Sequence, residues 1–314
     1  MNCLVTGAAG FIGSHLCREL LDAGHSVHGI DCFVDFYPRW VKERNIAPLR
    51  GRKSFSFSAD DILEVDASQL LDGTDVVFHL AAQAGVRASW GDNFSVYVQH
   101  NVQATQKLLE AAKTKRLRRF VFASSSSVYG LTPKLPMSED GLCRPLSPYG
   151  VTKLAAEQLC FLYFKNFEVP TISLRFFTVY GPGQRPDMAF HRFFKSIAEG
   201  KPIVIFGDGG QTRDFTYVGD IVAACLQAVE RGHLGEAYNI GGGHRERLVD
   251  LLPVFEDICG RKVTFVHEEK QKGDVLHTLA DISRAREELA YAPRTDLREG
   301  LRQEWEWIRH LYGN

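Results

Sequence analysis

The sequence predicts an α/β fold: a doubly wound parallel sheet with a smaller C-terminal α/β lobe. Three observations carry that prediction. Short β-branched or apolar runs alternate with stretches of three-and-four periodicity through the first half. The first run feeds directly into a glycine-rich turn. After about residue 176 the alternation gives way to glycine-rich segments with isolated arginines. A chain of 314 residues is long enough for one large core or two lobes that share one.

The segments NCLVT (2–6), HSVHGID (25–31), SFSFSA (54–59), DVVFHL (75–80), RFVFA (119–123) and PTISLRF (170–176) read as strands. Between several of them lie FIGSHLCRELLDAG (11–24), SVYVQHNVQATQKLLEAAK (95–113) and SPYGVTKLAAEQLCFLYFKNF (147–167), which read as helices. Strands alternating with helices imply right-handed crossovers and a sheet covered on both faces. The expected division is a nucleotide-binding domain over 1–175, with 214–240 returning to it. A substrate lobe is expected from 176–213 and 241–314.

Composition narrows the function classes. Formal net charge is −1 and the basic residues are scattered, so no nucleic-acid or membrane surface is indicated. The densest basic stretch, KTKRLRR (113–119), joins a helix end to a strand, where cations are favoured. Seven cysteines without a C-x-x-C indicate neither a disulfide framework nor a zinc knuckle, and no metal site is expected. Reduced thiols and the absence of a signal-peptide pattern point to the cytoplasm. No apolar stretch approaches the roughly 18 residues needed to span a bilayer.

The strand NCLVT runs into GAAGFIGSHL, which places Gly7, Gly10 and Gly13 around Phe11 and Ile12 at the opening of a helix. Such glycines allow a tight turn and close approach of a pyrophosphate to unpaired helix N–H groups. Asp31 ends the second strand, where a carboxylate can accept hydrogen bonds from both ribose hydroxyls. Cys32 and Phe33 after it are not basic, which favours NAD over NADP. Asp60, Asp61 and Ile62 follow the third strand, at the adenine edge, although an acidic pair there is equally a helix cap. Leu80, Ala81 and Ala82 end the fourth strand with the small residues that a packed cofactor requires.

Tyr149 and Lys153 stand four apart in SPYGVTKLAAE, with Ser147 as N-cap and Pro148 at the first helical position. One helix face then carries both, so the lysine cation is expected to bring the phenol down from about 10 towards neutrality. A tyrosinate so placed removes a hydroxyl proton while hydride leaves the same carbon for NAD.

The chain resembles the extended short-chain dehydrogenases/reductases, specifically the nucleotide-sugar epimerases and dehydratases. The resemblance spans nearly its whole length through GAAGFIGSHL, HLAAQAGVR, ASSSSVYG, SPYGVTK, LRFFTVYGP, GDGGQTRDFTYVGDI and YNIGGG. It implies a Rossmann-like NAD domain, a C-terminal UDP-sugar lobe and a Ser/Thr–Tyr–Lys triad in which Tyr149 and Lys153 also meet the cofactor. Counting back from Val128, the resemblance assigns Ser125 as the third member, with Ser124 structural. Ser126 and Ser127 then stand where sugar dehydratases carry Asp and Glu, so the chain lacks the acids for water elimination. UDP-glucuronate decarboxylases typically place a Glu before the VYG element, which is also absent here.

The stretch FFTVYGPGQRPDMAFHRF is similar to that of epimerases acting on UDP-glucuronate. By that analogy Arg185 faces the sugar carboxylate, with Thr178, Ser126 and Ser127 as further donors; a guanidinium matches a carboxylate with two parallel hydrogen bonds. Arg185 as a solvent-facing loop residue or phosphate ligand stays open. Arg213 is expected at the diphosphate, with a salt bridge to Asp214 or Asp220 as the alternative, and Arg87 is a weaker candidate. Gly183 stands where many relatives carry a bulky residue, and KQKGD (270–274) lacks an expected arginine, so Asp274 is an uncertain uridine or phosphate contact. The implied activity is C4 epimerisation of a UDP-sugar, UDP-glucuronate favoured, by a homodimer packed through the helices at 95–113 and 147–167. UDP-glucose/UDP-galactose epimerisation, decarboxylation and a non-catalytic NAD-sensing role remain as alternatives.

Overall fold

The computed structural model describes every residue except 133, 270, 272, 274, 313 and 314. The first half runs β1 (Asn2–Thr6), α1 (Phe11–Asp22), β2 (Ser26–Ile30), α2 (Arg39–Ile46), β3 (Phe55–Ser58), α3 (Ala67–Leu70) and β4 (Val76–His79). It continues through α4 (Phe94–Tyr97), a π-helical turn (Val98–Gln103), α5 (Ala104–Ala112), β5 (Arg119–Ser125), α6 (Pro148–Phe167) and β6 (Thr171–Phe176). There follow β7 (Thr178–Tyr180), α7 (Ala189–Ala198), β8 (Ile203–Phe206), β9 (Thr212–Arg213), β10 (Phe215–Tyr217), α8 (Val218–Arg231) and β11 (Ala237–Ile240). The chain ends with β12 (Glu246–Arg247), α9 (Leu252–Cys259), β13 (Phe265–Glu268), α10 (Ser283–Leu289) and α11 (Leu297–Tyr312).

A seven-stranded parallel sheet has the order β11-β6-β5-β4-β1-β2-β3. The order reverses between β1 and β4, the crevice where open α/β sheets bind ligands. Alternation along each strand divides the interior. Cys3, Val5, Val76, Phe78, Val121 and Ala123 face the core shared with α1 and α8. Leu4, Val77, Phe120 and Phe122 face the core shared with α5 and α6. A third core, with Phe190, Phe194, Ile203, Phe255, Trp305 and Ile308, joins α7, β8, α9 and α11 into the smaller lobe.

Two departures from the sequence reading bear on the site. The segment 119–123 extends two residues further, so Ser124 and Ser125 belong to β5. The single helix expected at 95–113 is broken by the π-helical turn, which aims Asn101 inward. Asn101 accepts from the Gln83 backbone N–H (2.7 Å) and donates to the Gln83 carbonyl (3.0 Å) and Thr152 Oγ1 (2.9 Å). That ties the segment after β4 to α6. The loop-like stretch after 206 also contains two short strands, β9 and β10.

Glu157 and Arg175, 4 % and 6 % exposed, form a buried ion pair between α6 and β6 with an Oε1–Nη2 distance of 2.7 Å. Ser124 Oγ donates to Glu157 Oε2 at 2.6 Å. Arg175 Nη1 donates to the Tyr129 hydroxyl, which donates in turn to Asn239 Oδ1 on β11. Both Glu157 carboxylate oxygens thus have donors, the condition under which a buried pair is tolerated. Replacing Glu157 by alanine leaves Arg175 charged without its partner; we expect a loss of about 3–5 kcal/mol in urea unfolding, whereas a loss below about 1 kcal/mol would be that of an exposed pair.

Candidate active site

The carboxyl ends of the central strands open into a cleft of about 660 Å³, within the size range of small-molecule sites. At its dinucleotide end the β1–α1 turn is packed backbone against backbone. Gly7 has φ +69°, and a Cβ there would stand 2.9 Å from the Ala81 nitrogen. A Cβ on Gly13 would stand 2.1 Å from the Gly7 carbonyl oxygen. Gly7, Gly10, Phe11, Ile12 and Gly13 line the cleft with the first turn of α1, whose N–H groups have no intrahelical acceptor. Leu80, Ala81 and Ala82 form the facing wall, and Asp31, Asp60, Asp61 and Ile62 continue it.

Asp31 is buried and its Oδ1 accepts from the Phe33 backbone N–H (2.8 Å) and Lys42 Nζ (3.2 Å). The residues immediately after Asp31 are not basic, yet α2 brings a buried lysine to it, which the local reading missed. Asp61 Oδ1 accepts from the Leu63 N–H, so this acid caps a turn. Cys32, Asp61 and His100 also converge there, their ligand atoms within 4.8 Å of one another, on the wall of the same cleft. A glycine turn with no room for a side chain, a helix N-terminus, a carboxylate at a strand end and a wall of small residues fit a bound dinucleotide.

At the inner end, Ser125 closes β5 and its Oγ accepts from the Ser127 N–H at 3.1 Å, and its hydroxyl is close enough to the Tyr149 phenol to favour the phenolate. Ser147 Oγ accepts from the Gly150 N–H at 3.1 Å, the expected N-cap of α6. Gly150 lets that helix begin against β5, because a Cβ there would lie 2.5 Å from the Ser127 carbonyl oxygen. Tyr149 is thereby seated beside Ser125.

The expected electrostatics need correction. Burial pushes the Tyr149 phenol up; the opposing influences are the Arg185 charge and then the Ser125 hydrogen bond, and Lys153 is not among them. Lys153 is 3 % exposed, with Nζ 4.8 Å from the centre of the Phe122 ring. Desolvation lowers its ammonium to about 8, against Cys160 and Glu157, which favour the charge. Both residues lie on α6 as expected, but the lysine ammonium stands over the Phe122 ring of β5.

Thr178, Arg185, Arg213 and Arg87 all line the outer part of the cleft, with Ser126 and Ser127 at the edge near Ser125. Arg185 is bound in bidentate fashion by Asp187, Nε–Oδ1 and Nη2–Oδ2 both at 3.0 Å. Arg213 donates to the Leu276 and Thr212 carbonyls. Asp214 is taken by the Gly242 and Ala280 N–H groups, and Asp220 by those of Arg294 and Thr295. Arg87 and Arg192 both stand against the Phe206 ring, at 4.1 and 5.1 Å from its centre. Arg192, Phe206 and Asp187 were not singled out by sequence, and Asp274 lies outside the described residues.

A dinucleotide turn at a sheet's switch point, joined to a Ser–Tyr–Lys cluster, defines an NAD-dependent enzyme of the short-chain dehydrogenase/reductase type. Residues 3–241 match the NAD dependent epimerase/dehydratase family, and the chain belongs to it. The resemblance read from the motifs and the α/β fold are both borne out. A Bacillus subtilis (strain 168) relative, the uncharacterized UDP-glucose epimerase YtcB, is 50% identical, over 99% of each chain. A UDP-glucuronate 4-epimerase of Thermodesulfobacterium geofontis is 40% identical, over 98% of this chain and 95% of its own. The crystal structure of UDP-glucuronic acid 4-epimerase from Bacillus cereus with UDP-glucuronic acid and NAD superposes with a TM-score of 0.97. It is 49% identical, over 99% of this chain and 100% of its own.

The lowered Lys153 has a measurable consequence in cofactor-free protein. Its folded value of about 8 lies below the ordinary 10.5, so between those pH values the unfolded chain binds more protons and stability rises with pH. Relative to Lys153→Met, the native protein should gain about 2–3 kcal/mol from pH 7 to pH 10 by chemical unfolding. A constant difference would show that the ammonium is not desolvated.

Proposed function

We propose that the protein inverts C4 of a UDP-sugar, interconverting UDP-glucuronate and UDP-galacturonate with bound NAD and no net redox change. The observation that carries this is the convergence of Ser125 and Tyr149 in one cleft, with Ser126, Ser127, Thr178 and Arg185 lining it too and no acid at the end of β5. NAD supplies an acceptor that takes hydride from C4 and gives it back. Tyr149 Oη receives the C4 hydroxyl proton, and Ser125 Oγ bonds the same sugar oxygen and shares the proton's path. Tyr149 can take that proton only as phenolate, which burial disfavours in the cofactor-free protein, so the phenol must first release its own proton, favoured by the positive charge of bound NAD. Lys153 and Asp31 are assigned to the ribose hydroxyls, and the glycine turn to the pyrophosphate.

The substrate's uronate sets a further requirement. Oxidation at C4 creates a β-keto acid, which loses CO₂ most easily when the carboxylate bond stands perpendicular to the carbonyl plane. Arg185, Thr178, Ser126 and Ser127 are the donors we assign to holding that bond away from perpendicular. The 4-keto sugar then turns over and receives hydride on its other face, since hydroxyls in place of acids give it no route to elimination. Arg87, Arg192 and Arg213, with Phe206 between the first two, are assigned to the UDP moiety. The similarity to the Bacillus cereus enzyme supports this reading.

The rival is a neutral substrate, UDP-glucose, favoured by one observation: Arg185 is already paired with Asp187. Incubation with UDP-glucuronate and UDP-glucose separately, followed by NMR, should yield UDP-galacturonate, and turnover of only the neutral sugar would refute the proposal. Arg185→Ala should raise the UDP-pentose by-product relative to epimer by about ten-fold, the value of one lost charged hydrogen bond; unchanged partitioning would remove the role assigned to it. Val151, Phe161 and Leu162 leave an exposed apolar face on α6, which we assign to a second copy of the chain. Sedimentation equilibrium should then give twice the monomer mass, and a monomer would contradict it.

A further inference from the structure

Arg185 and Asp187 flank Pro186 in the loop between β7 and α7, and both line the cleft. The carboxylate occupies the Nε–Nη2 edge of the guanidinium, the edge that a bidentate carboxylate ligand prefers. A uronate entering the cleft therefore meets an arginine whose best donors are engaged, next to a second negative charge. Two like carboxylates cannot share that edge without a large electrostatic cost.

The two partners are unequally placed. The Asp187 side chain is 35% exposed and that of Arg185 22%, so the acid is the one that water can receive. Asp187 also borders a surface depression that holds Arg192, Lys195 and Glu199 of α7 and its end, with Lys195 Nζ 4.0 Å from Glu199 Oε1, and its charge is felt by Arg192. The N-terminus of α7, which begins two residues further on at Ala189, favours a negative charge at that end.

Resting on the uronate reading above, we propose that Asp187 is a specificity-determining latch. It neutralises Arg185 while no uronate is present, and yields that edge to the substrate carboxylate by swinging out towards water and the N-terminus of α7. Asp187 is thus a positioning residue that acts through Arg185. One carboxylate replaces another on the guanidinium, so the cleft never holds an unpaired Arg185. The exchange takes away part of the uronate's binding energy and leaves ligands without a carboxylate untouched.

The test is the affinity of NAD-loaded protein for UDP-glucuronate relative to UDP, measured by calorimetry for the native chain, Asp187→Asn and Asp187→Glu. UDP lacks the carboxylate and corrects for any change in the nucleotide site. The asparagine variant removes the competing charge and should shift the ratio about five-fold towards UDP-glucuronate; the glutamate variant should stay within about two-fold of the native ratio. An unchanged or opposite shift in Asp187→Asn would overturn the latch, and so would an equal shift in Asp187→Glu, because the charge would then not be its cause. NMR of the same preparations separates the two claims. UDP-glucuronate that binds with the expected ratios but is not epimerised contradicts the functional reading and leaves the latch standing.

Discussion

The catalytic geometry depends on one buried ion pair. Glu157 on α6 and Arg175 on β6 lie in the interior, where two charges are expensive to desolvate and an apolar pair of the same volume would often be as stable. What the pair supplies is direction. Ser124 donates to Glu157, which pins that residue towards α6, and alternation along β5 then turns Ser125 to the other side. The helix held by Glu157 begins at Pro148 and carries Tyr149 and Lys153 on its preceding turns. Through Tyr129 and Asn239 the same network reaches β11. The serine comes from β5 and the tyrosine and lysine from α6, and this network fixes how the strand and the helix meet.

The cleft that results is graded in charge. At the adenosine end Asp31 is balanced by Lys42. In the middle, burial disfavours both the phenolate of Tyr149 and the ammonium of Lys153. At the sugar end Arg185 is balanced by Asp187, and Arg87, Arg192 and Arg213 gather around Phe206 and β9. Charge is thus matched within the chain at the adenosine end and where the uronate is assigned. It is concentrated as guanidinium where a diphosphate would lie.

What was legible in the sequence was local. The six strands, the glycine turn and the Ser147–Pro148 start of α6 rest on neighbours in the chain, so alternation, periodicity and capping revealed them. The tyrosine–lysine spacing was legible for the same reason, but its consequence was not. Both residues lie on α6, whereas the position of the ammonium depends on the Phe122 ring of β5, in another element. Lys42 reaches Asp31 from a different helix, and Arg175 meets Glu157 across a layer, so neither partner could be read from its surroundings. The π-helical turn is a matter of backbone hydrogen-bond register, which side-chain periodicity over six residues does not specify. Arg185 was singled out by resemblance, while its partner Asp187 stood two residues away and passed as loop.

In the proposed reaction, hydride leaves C4 of the sugar and the same hydride returns there. Deuterium at C4 of UDP-glucuronate, followed by NMR through many turnovers in ordinary water, tests it most directly. The account predicts full retention of the label at C4 of both epimers, with no solvent hydrogen entering at C4 or C5. Loss of label from C4, or exchange at C5 during turnover, would contradict it.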